Sequence, residues 1–257
     1  MKYCVVFLYL LIQVVSLPSN AQEKTGDWVI SPKDTDKVEI DIRAIFRNRA
    51  LRTVDKHYVS PHGDTFYVDV FRFYITNISF IGSRSVSLNN AHLFDVADTN
   101  TYSFIVKNVP PGIYQSVQFI IGVDSTANIS GANSGALDPV NGMYWAWNSG
   151  YIMAKLEGRS HVCKTLHHAF EFHIGGYLPP YNAARTVTLK IPEHFQVGRP
   201  SMPGISLSAD VAAWFGQDLD LSKTNSIMIP GKDACMMADN YAKMFFIDEV
   251  SYTPLNQ

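Results

Sequence analysis

Short segments in which apolar and polar residues alternate recur along this chain. Residues 38–44 (Val-Glu-Ile-Asp-Ile-Arg-Ala) alternate without a break, and residues 66–75 are rich in aromatic and β-branched side chains. Successive side chains of a β-strand point to opposite faces, so a period of two predicts strands with one buried face. Similar segments occupy residues 85–88, 102–106, 114–123, 169–174 and 185–191. We predict a mainly β fold, an antiparallel β-sandwich-like single domain over residues 22–257.

Three segments depart from this pattern. Ser208, Ala209 and Asp210 are suited to cap a short helical turn over residues 211–215, and residues 233–246 predict a second short helix. Residues 124–142 are rich in Gly, Asn and Asp and form a long irregular loop. Loops of this length inside a compact domain are usually functional or disordered.

The first 21 residues have the pattern of a signal peptide. Lys2 precedes an apolar run over residues 5–17, and Ser19-Asn20-Ala21 forms a small-x-small cleavage pattern. We therefore expect a periplasmic or secreted protein, cleaved near Ala21. No later stretch approaches about 20 apolar residues, so we expect no membrane insertion. The formal net charge of -2 argues against a nucleic-acid partner, which would favour a basic excess.

The cysteines leave two alternatives open. Removal of Cys4 with the leader leaves Cys163 and Cys235. They could form a disulfide in an oxidising compartment, or remain two separate thiols.

Two tryptophans lie close together in residues 142–151, directly after the long loop. On a strand, Trp145 and Trp147 would share a face and form an aromatic ledge. One interpretation is a core strand, because Trp is buried on average. The others are a surface for stacking, or a redox-active indole beside a metal.

Two groups of side chains suggest metal ligands. On a strand, His167, Glu171 and His173 would share one face, and imidazole suits copper. Asp124 and Asp138, in the long loop, offer oxygen donors for Ca²⁺. Ordinary core or surface histidines, and ordinary turn chemistry, are the alternatives.

The sequence gives little reason to expect an enzyme. It contains no G-x-S-x-G elbow, P-loop or H-E-x-x-H motif, and neither mature cysteine has the context of a nucleophile. Glu157 and Glu171 could form a glycosidase pair, but the sequence does not fix the separation of their carboxyl groups.

Several segments, in this order along the chain, resemble the MbnP family of copper-associated extracytoplasmic proteins. They are residues 73–78, 121–124, 135–139, 143–151 (Met-Tyr-Trp-Ala-Trp-Asn-Ser-Gly-Tyr), 157–158, 172–176 (Phe-His-Ile-Gly-Gly), 209–211 and 238–245. The resemblance implies a β-sandwich-like protein that is not itself an enzyme.

The resemblance also implies how copper would be held. In copper-binding relatives the ligands are His and a tryptophan oxidised to kynurenine, and a di-haem protein of the cytochrome c peroxidase type is associated with that oxidation. Carried over, Trp145 or Trp147 is the oxidised residue and His173 the imidazole ligand. Relatives with a clear copper site place a His near the reactive Trp, whereas this chain has Trp147 there.

Three hypotheses follow. The first is copper handling outside the cytoplasm through His173 and the two tryptophans. The second is a glycan- or protein-binding β-sandwich that uses an exposed Trp ledge. The third is a structural domain stabilised by calcium.

Overall fold

The protein was analysed as a computed structural model, which describes residues 35–53, 55–147, 150–216 and 219–255. The predicted signal peptide therefore lies outside the described residues. Strands dominate, as the alternating pattern predicts. Their bounds are β1 Val38–Phe46, β2 Arg49–Ala50, β3 His57–Val59, β4 Thr65–Gly82, β5 Val86–Asp95, β6 Ser103–Val106, β7 Gly112–Ile121, β8 Tyr144–Trp145, β9 Gly150–Ser160, β10 Ala169–Gly175, β11 Arg185–Val197, β12 Ser201–Asp210, β13 Ser226–Ile227 and β14 Phe245–Pro254.

Within the described residues these strands form two sheets. The larger follows the order β11-β7-β4-β9-β10-β13, with β3 and β5 also paired to β4 and β8 paired to β9. The smaller follows the order β14-β12-β1-β2, and β6 pairs with β1. Aromatic side chains join the two sheets face to face. Phe245 of β14 meets Phe73 of β4 and Phe119 of β7 at ring-centroid distances of 5.3 and 5.1 Å. The fold is therefore sandwich-like, with its core between the sheets.

Most paired strands among the described residues are antiparallel, as predicted, but the sheets are mixed. β1 runs parallel to β12, with Glu39 opposite Gly204, and β10 runs parallel to β13. The alternating pattern could not reveal this, because it reports which face of a strand is buried and not the direction of its neighbour.

β4 organises the larger sheet. Its first half pairs with β9 and its second half with β7, while β5 pairs along its other edge. Asn77 has a positive φ of 52° at an irregularity within the second half, where the register with β5 shifts between Thr76 and Ile78. Its Nδ2 donates to Asp124 Oδ2 at 2.6 Å, so the start of the long loop is attached to the central strand.

Three short helices complete the fold: α1 Ser125–Ile129, α2 Ala212–Phe215 and α3 Lys232–Tyr241. The helix predicted over residues 233–246 is thus shorter than expected, because Phe245 already pairs with Ala209 as the first residue of β14. Ser208, Ala209 and Asp210 belong to strand β12, although Asp210 Oδ1 does accept from the backbone N–H of Ala212 at 2.9 Å. In the part of the chain that the structure describes, no helix is long and apolar enough to cross a membrane.

Candidate functional site

His173 belongs to a row of polar side chains on the outer face of the larger sheet. Strand pairing places Asp95, Arg72, Lys155 and His173 opposite one another across β5, β4, β9 and β10. Phe172 and Ile174, on either side of His173 along β10, are fully buried in the core. The alternation of β10 therefore turns the imidazole away from the core.

The closest polar partner of His173 is Glu157. His173 Nε2 lies 2.7 Å from Glu157 Oε1, and the imidazole side chain is only 11% exposed. The hydrogen bond from His173 lowers the pKa of Glu157, the charges of His173 and Lys155 add to this effect, and partial burial opposes it. An ionised carboxylate only accepts hydrogen bonds, so Nε2 carries the hydrogen. In a neutral imidazole, Nδ1 is then the nitrogen with a lone pair for a metal.

Two cations of the row hold the end of the long loop. Lys155 Nζ donates to the carbonyl oxygen of Gly142 at 2.8 Å, and Arg72 Nη1 donates to that of Asn141 at 3.1 Å. Arg72 Nε also lies 2.8 Å from Asp95 Oδ2. Burial lowers the pKa of Lys155, and the charge of Glu157 partly offsets this. The backbone leading into Trp145 is therefore fixed to the same row that carries His173.

Trp145 packs against the strand of His173. It pairs with Gly150 in the short ladder between β8 and β9 and is 5% exposed. A Cβ atom built on Gly175 would lie 2.5 Å from Cζ3 of Trp145, so the indole occupies the space above that glycine. Gly175 is two residues beyond His173 on β10, so the indole packs against the end of the strand that carries the imidazole.

Trp147 is in a different environment. It lies in the turn after β8 and not on a strand, and 65% of it is exposed. Its ring is nevertheless 5.4 Å from that of Trp145, centroid to centroid. The two tryptophans thus form a pair with a buried and an exposed member, which the strand pattern alone did not predict.

His167 does not share a face with His173, and this expectation is wrong. β10 begins at Ala169, and His167 lies in a 3-10 turn before it with a φ of 59°. Glu171 does lie on β10, directly opposite Glu157 on β9.

Asp124 and Asp138 each cap a turn. Asp124 Oδ1 accepts from the backbone N–H of Ala127 at 2.9 Å, as the N-cap of α1. Asp138 Oδ1 accepts from that of Val140 at 2.9 Å, before a 3-10 turn over Pro139–Asn141. These contacts favour the turn-chemistry alternative. Calcium binding there stays a prediction, which a calcium-dependent change in melting temperature would test.

The comparisons with known proteins bear on this arrangement. Residues 35–237 match the protein family MbnP. The chain belongs to the MbnP family. Among solved structures, it matches MbnP from Methylosinus trichosporium with a TM-score of 0.52 and 12% sequence identity, over 76% of this chain and 82% of that chain. At this identity the structural match concerns the fold alone. No curated protein matches the chain.

The site of this MbnP-family chain includes partners that the sequence pattern did not assign. The sequence pattern assigns neither Glu157 nor Lys155 to His173. Both lie at alternate positions of β9, but only the pairing of β9 with β10 brings them to His173. A pattern of period two in residues 150–160 marks their face without identifying the neighbouring strand.

Cys163 and Cys235 of this MbnP-family chain are free thiols in the structure. Cys163 is buried, with its Sγ 3.6 Å from the carbonyl oxygen of Leu221. Cys235 lies on α3, with its Sγ 3.7 Å from the carbonyl oxygen of Asn182. Of the two alternatives that the sequence left open, the structure therefore has the separate thiols.

Proposed function

We propose that this MbnP-family protein is exported and binds a copper ion, its cargo, through His173 and the Trp145/Trp147 pair. In this proposal one of the two tryptophans is oxidised to kynurenine by a partner, a di-haem protein of the cytochrome c peroxidase type. The protein then handles copper outside the cytoplasm as a binding protein and is not an enzyme. Family membership and the predicted signal peptide support this role.

The observation that carries the proposal is the contact between His173 and Glu157 on the hairpin against which Trp145 packs. Metal-binding histidines commonly donate their second ring N–H to a carboxylate, which fixes the tautomer and raises the basicity of the ligand nitrogen. The distance of 2.7 Å between Nε2 and Oε1 has this form. Nδ1 is the nitrogen that would meet copper.

The surroundings also suit a site of low coordination. Among the described residues, no group of three or more His, Cys, Asp or Glu side chains is placed to hold a metal. His173 would therefore supply one donor, and the oxidised tryptophan would supply another. Trp145 is well placed by its position over Gly175, and Trp147 by its exposure to an oxidising partner.

The first experiment is to measure the metal content of the mature protein purified from the exported fraction of its own host. The proposal expects about one copper per chain, with kynurenine at Trp145 or Trp147 in the peptide masses. Protein from the same fraction without copper and with both tryptophans intact would contradict it.

The second experiment measures Cu(I) affinity by competition with a chromophoric chelator. His173→Ala should weaken binding by at least about tenfold, because it removes the imidazole donor. His62→Asn is the matched control, since His62 is an exposed histidine in the turn before β4. Equal affinities for His173→Ala and the wild type would remove His173 from the site.

A glycan- or protein-binding module is the second candidate function. The exposure of Trp147 favours it, since an indole that is 65% exposed offers a face for stacking on a sugar ring. This function predicts a change in tryptophan fluorescence with oligosaccharides that chelators do not affect and that Trp147→Ala abolishes. An oligosaccharide panel without any response would count against it.

A further inference from the structure

A second group of histidines lies at the turn that joins β9 to β10, at the opposite end of this hairpin from Trp145. His161 directly follows β9, and His167 and His168 directly precede β10. All three are exposed. With Tyr67, Arg159 and Ser160 they line a small cavity of about 140 Å³.

His161 and His168 are spaced as two imidazoles on one metal ion are spaced. Their ring centroids are 5.7 Å apart and their planes are inclined at 62°. A Zn–N bond to histidine is about 2.0–2.1 Å, so two imidazoles on one tetrahedral or trigonal ion have centroids roughly 5–6 Å apart. The separation of the two rings is therefore one that a shared ion allows.

The orientation of His168 is set by a backbone contact. Its Nδ1 lies 3.0 Å from the carbonyl oxygen of Cys163, which can only accept a hydrogen bond. Nδ1 thus carries the hydrogen, and Nε2 holds the lone pair in the neutral ring. A backbone carbonyl is a common partner for the second nitrogen of a metal-binding histidine.

His167 and His168, the two histidines just before β10, have an unusual backbone conformation. His167 and His168 have φ values of 59° and 57°, in the left-handed region that favours glycine. The backbone N–H of His168 donates to the carbonyl oxygen of Thr165 at 3.1 Å, and that of Cys163 donates to Ser160 at 3.0 Å. These bonds fix the backbone of the turn relative to the end of β9.

The charge nearest this cavity is already paired. Arg159 makes two contacts with Asp69, Nε to Oδ2 at 2.9 Å and Nη2 to Oδ1 at 3.0 Å. Its guanidinium also lies over the ring of Tyr67, 5.3 Å from the centroid. With its charge balanced by Asp69, Arg159 does little to oppose a cation at the histidines or to attract an anion there.

We propose that His161 and His168 bind a divalent transition-metal ion, with His167 at the rim of the site. The site offers two protein donors and leaves the other positions to water. With imidazole donors and the usual order of metal affinities, copper(II) should bind more tightly than zinc(II). This site is separate from the one at His173 and does not rest on its function.

The test is titration of the mature protein with copper(II), followed by calorimetry and electron paramagnetic resonance. The wild type should bind an ion whose spectrum shows coupling to two nitrogens. His161→Ala should weaken this binding at least about tenfold, because the remaining imidazole gives a single donor. His168→Gln should have the same effect, whereas the exposed His62→Asn and the distant His173→Ala should leave this ion bound.

A double variant, His161→Ala with His168→Gln, that binds this copper(II) as the wild type does would overturn the proposal. So would wild-type protein that binds phosphate in this cavity but no copper(II). Circular dichroism melting of each variant shows whether it is folded. A wild-type spectrum without coupling to two nitrogens would overturn the proposal without any variant, so a variant that fails to fold still leaves a deciding result.

Discussion

The indole of Trp145 occupies the space that a side chain on Gly175 would fill. A Cβ atom there would lie 2.5 Å from Cζ3 and 2.7 Å from Cη2 of the indole. Contacts this short between carbon atoms are not tolerated in a packed interior. The residue that follows His173 by two positions must therefore be small if Trp145 is to pack against β10.

The first prediction concerns this contact. Gly175→Ala should displace Trp145 and lower the free energy of unfolding by about 1–3 kcal/mol, as overpacking in a core does. Urea unfolding followed by tryptophan fluorescence measures both effects. Gly231→Ala is the matched control, since a Cβ on Gly231 meets nothing within 4 Å. A loss of stability as large in the control would show that the indole contact is not the cause.

The second prediction concerns the carboxylate that orients His173. Glu157→Gln keeps the shape of the side chain but removes its charge, so Cu(I) affinity should fall by about 10–100-fold. The chelator competition described for His173 measures this. Glu171→Gln is the control, because Glu171 lies opposite Glu157 on β10 but is exposed. Unchanged affinity in Glu157→Gln would mean that this carboxylate does not support the ligand.

The third prediction is a dependence of stability on pH. Folding lowers the pKa of Glu157 below its ordinary value of 4.5. The unfolded state therefore binds the proton more readily, and the contribution of Glu157 is present above pH 4.5. This contribution is lost as the pH falls through the lower pKa of the folded state. In Glu157→Gln, the urea midpoint of unfolding should depend less on pH below pH 4.5 than it does in the wild type. In Glu171→Gln, the pH dependence of the midpoint should be the same as in the wild type. Parallel curves for Glu157→Gln and the wild type would contradict the assignment.

The fourth prediction concerns the thiols. Burial raises the pKa of Cys163, and the charge of Asp64 adds to this, so its thiol should react only after unfolding. Cys235 is partly exposed and should react in the folded protein. Titration of the mature chain with a disulfide reagent should thus give about one thiol when native and about two in denaturant. Non-reduced protein without titratable thiols would instead indicate a disulfide.

The sequence predicted the strands well because burial on one face leaves a direct mark in the order of residues. The pattern of β1 and of the first half of β4 is visible in residues 38–44 and 66–75. This pattern could not predict the parallel partner of β1, because no local feature of the sequence indicates that Gly204 lies opposite Glu39. The helix over residues 233–246 was too long because the pairing of Phe245 with Ala209 overrides its local preference.

The candidate site was predicted in part. The sequence selected His173 and the two tryptophans, and the structure packs Trp145 of β8 against Gly175 of β10, the strand that carries His173. It could not select Glu157 as the partner of His173, because their contact depends on the register between β9 and β10. The prediction that His167 shares a strand face with His173 was wrong for a local reason. Two consecutive residues with positive φ, His167 and His168, precede β10 and are not part of the extended strand.

The parallel pairing of β1 with β12 has a consequence for the order of assembly. β1 is the first described strand to be synthesised, yet Glu39 must wait for Gly204 before this ladder can form. Bringing together segments so far apart costs loop-closure entropy before any contact repays it, which slows folding. The smaller sheet therefore closes late, after most of the chain has left the ribosome. Until then, β1 can be held only by its antiparallel ladders with β2 and β6, which lie nearer to it in the chain.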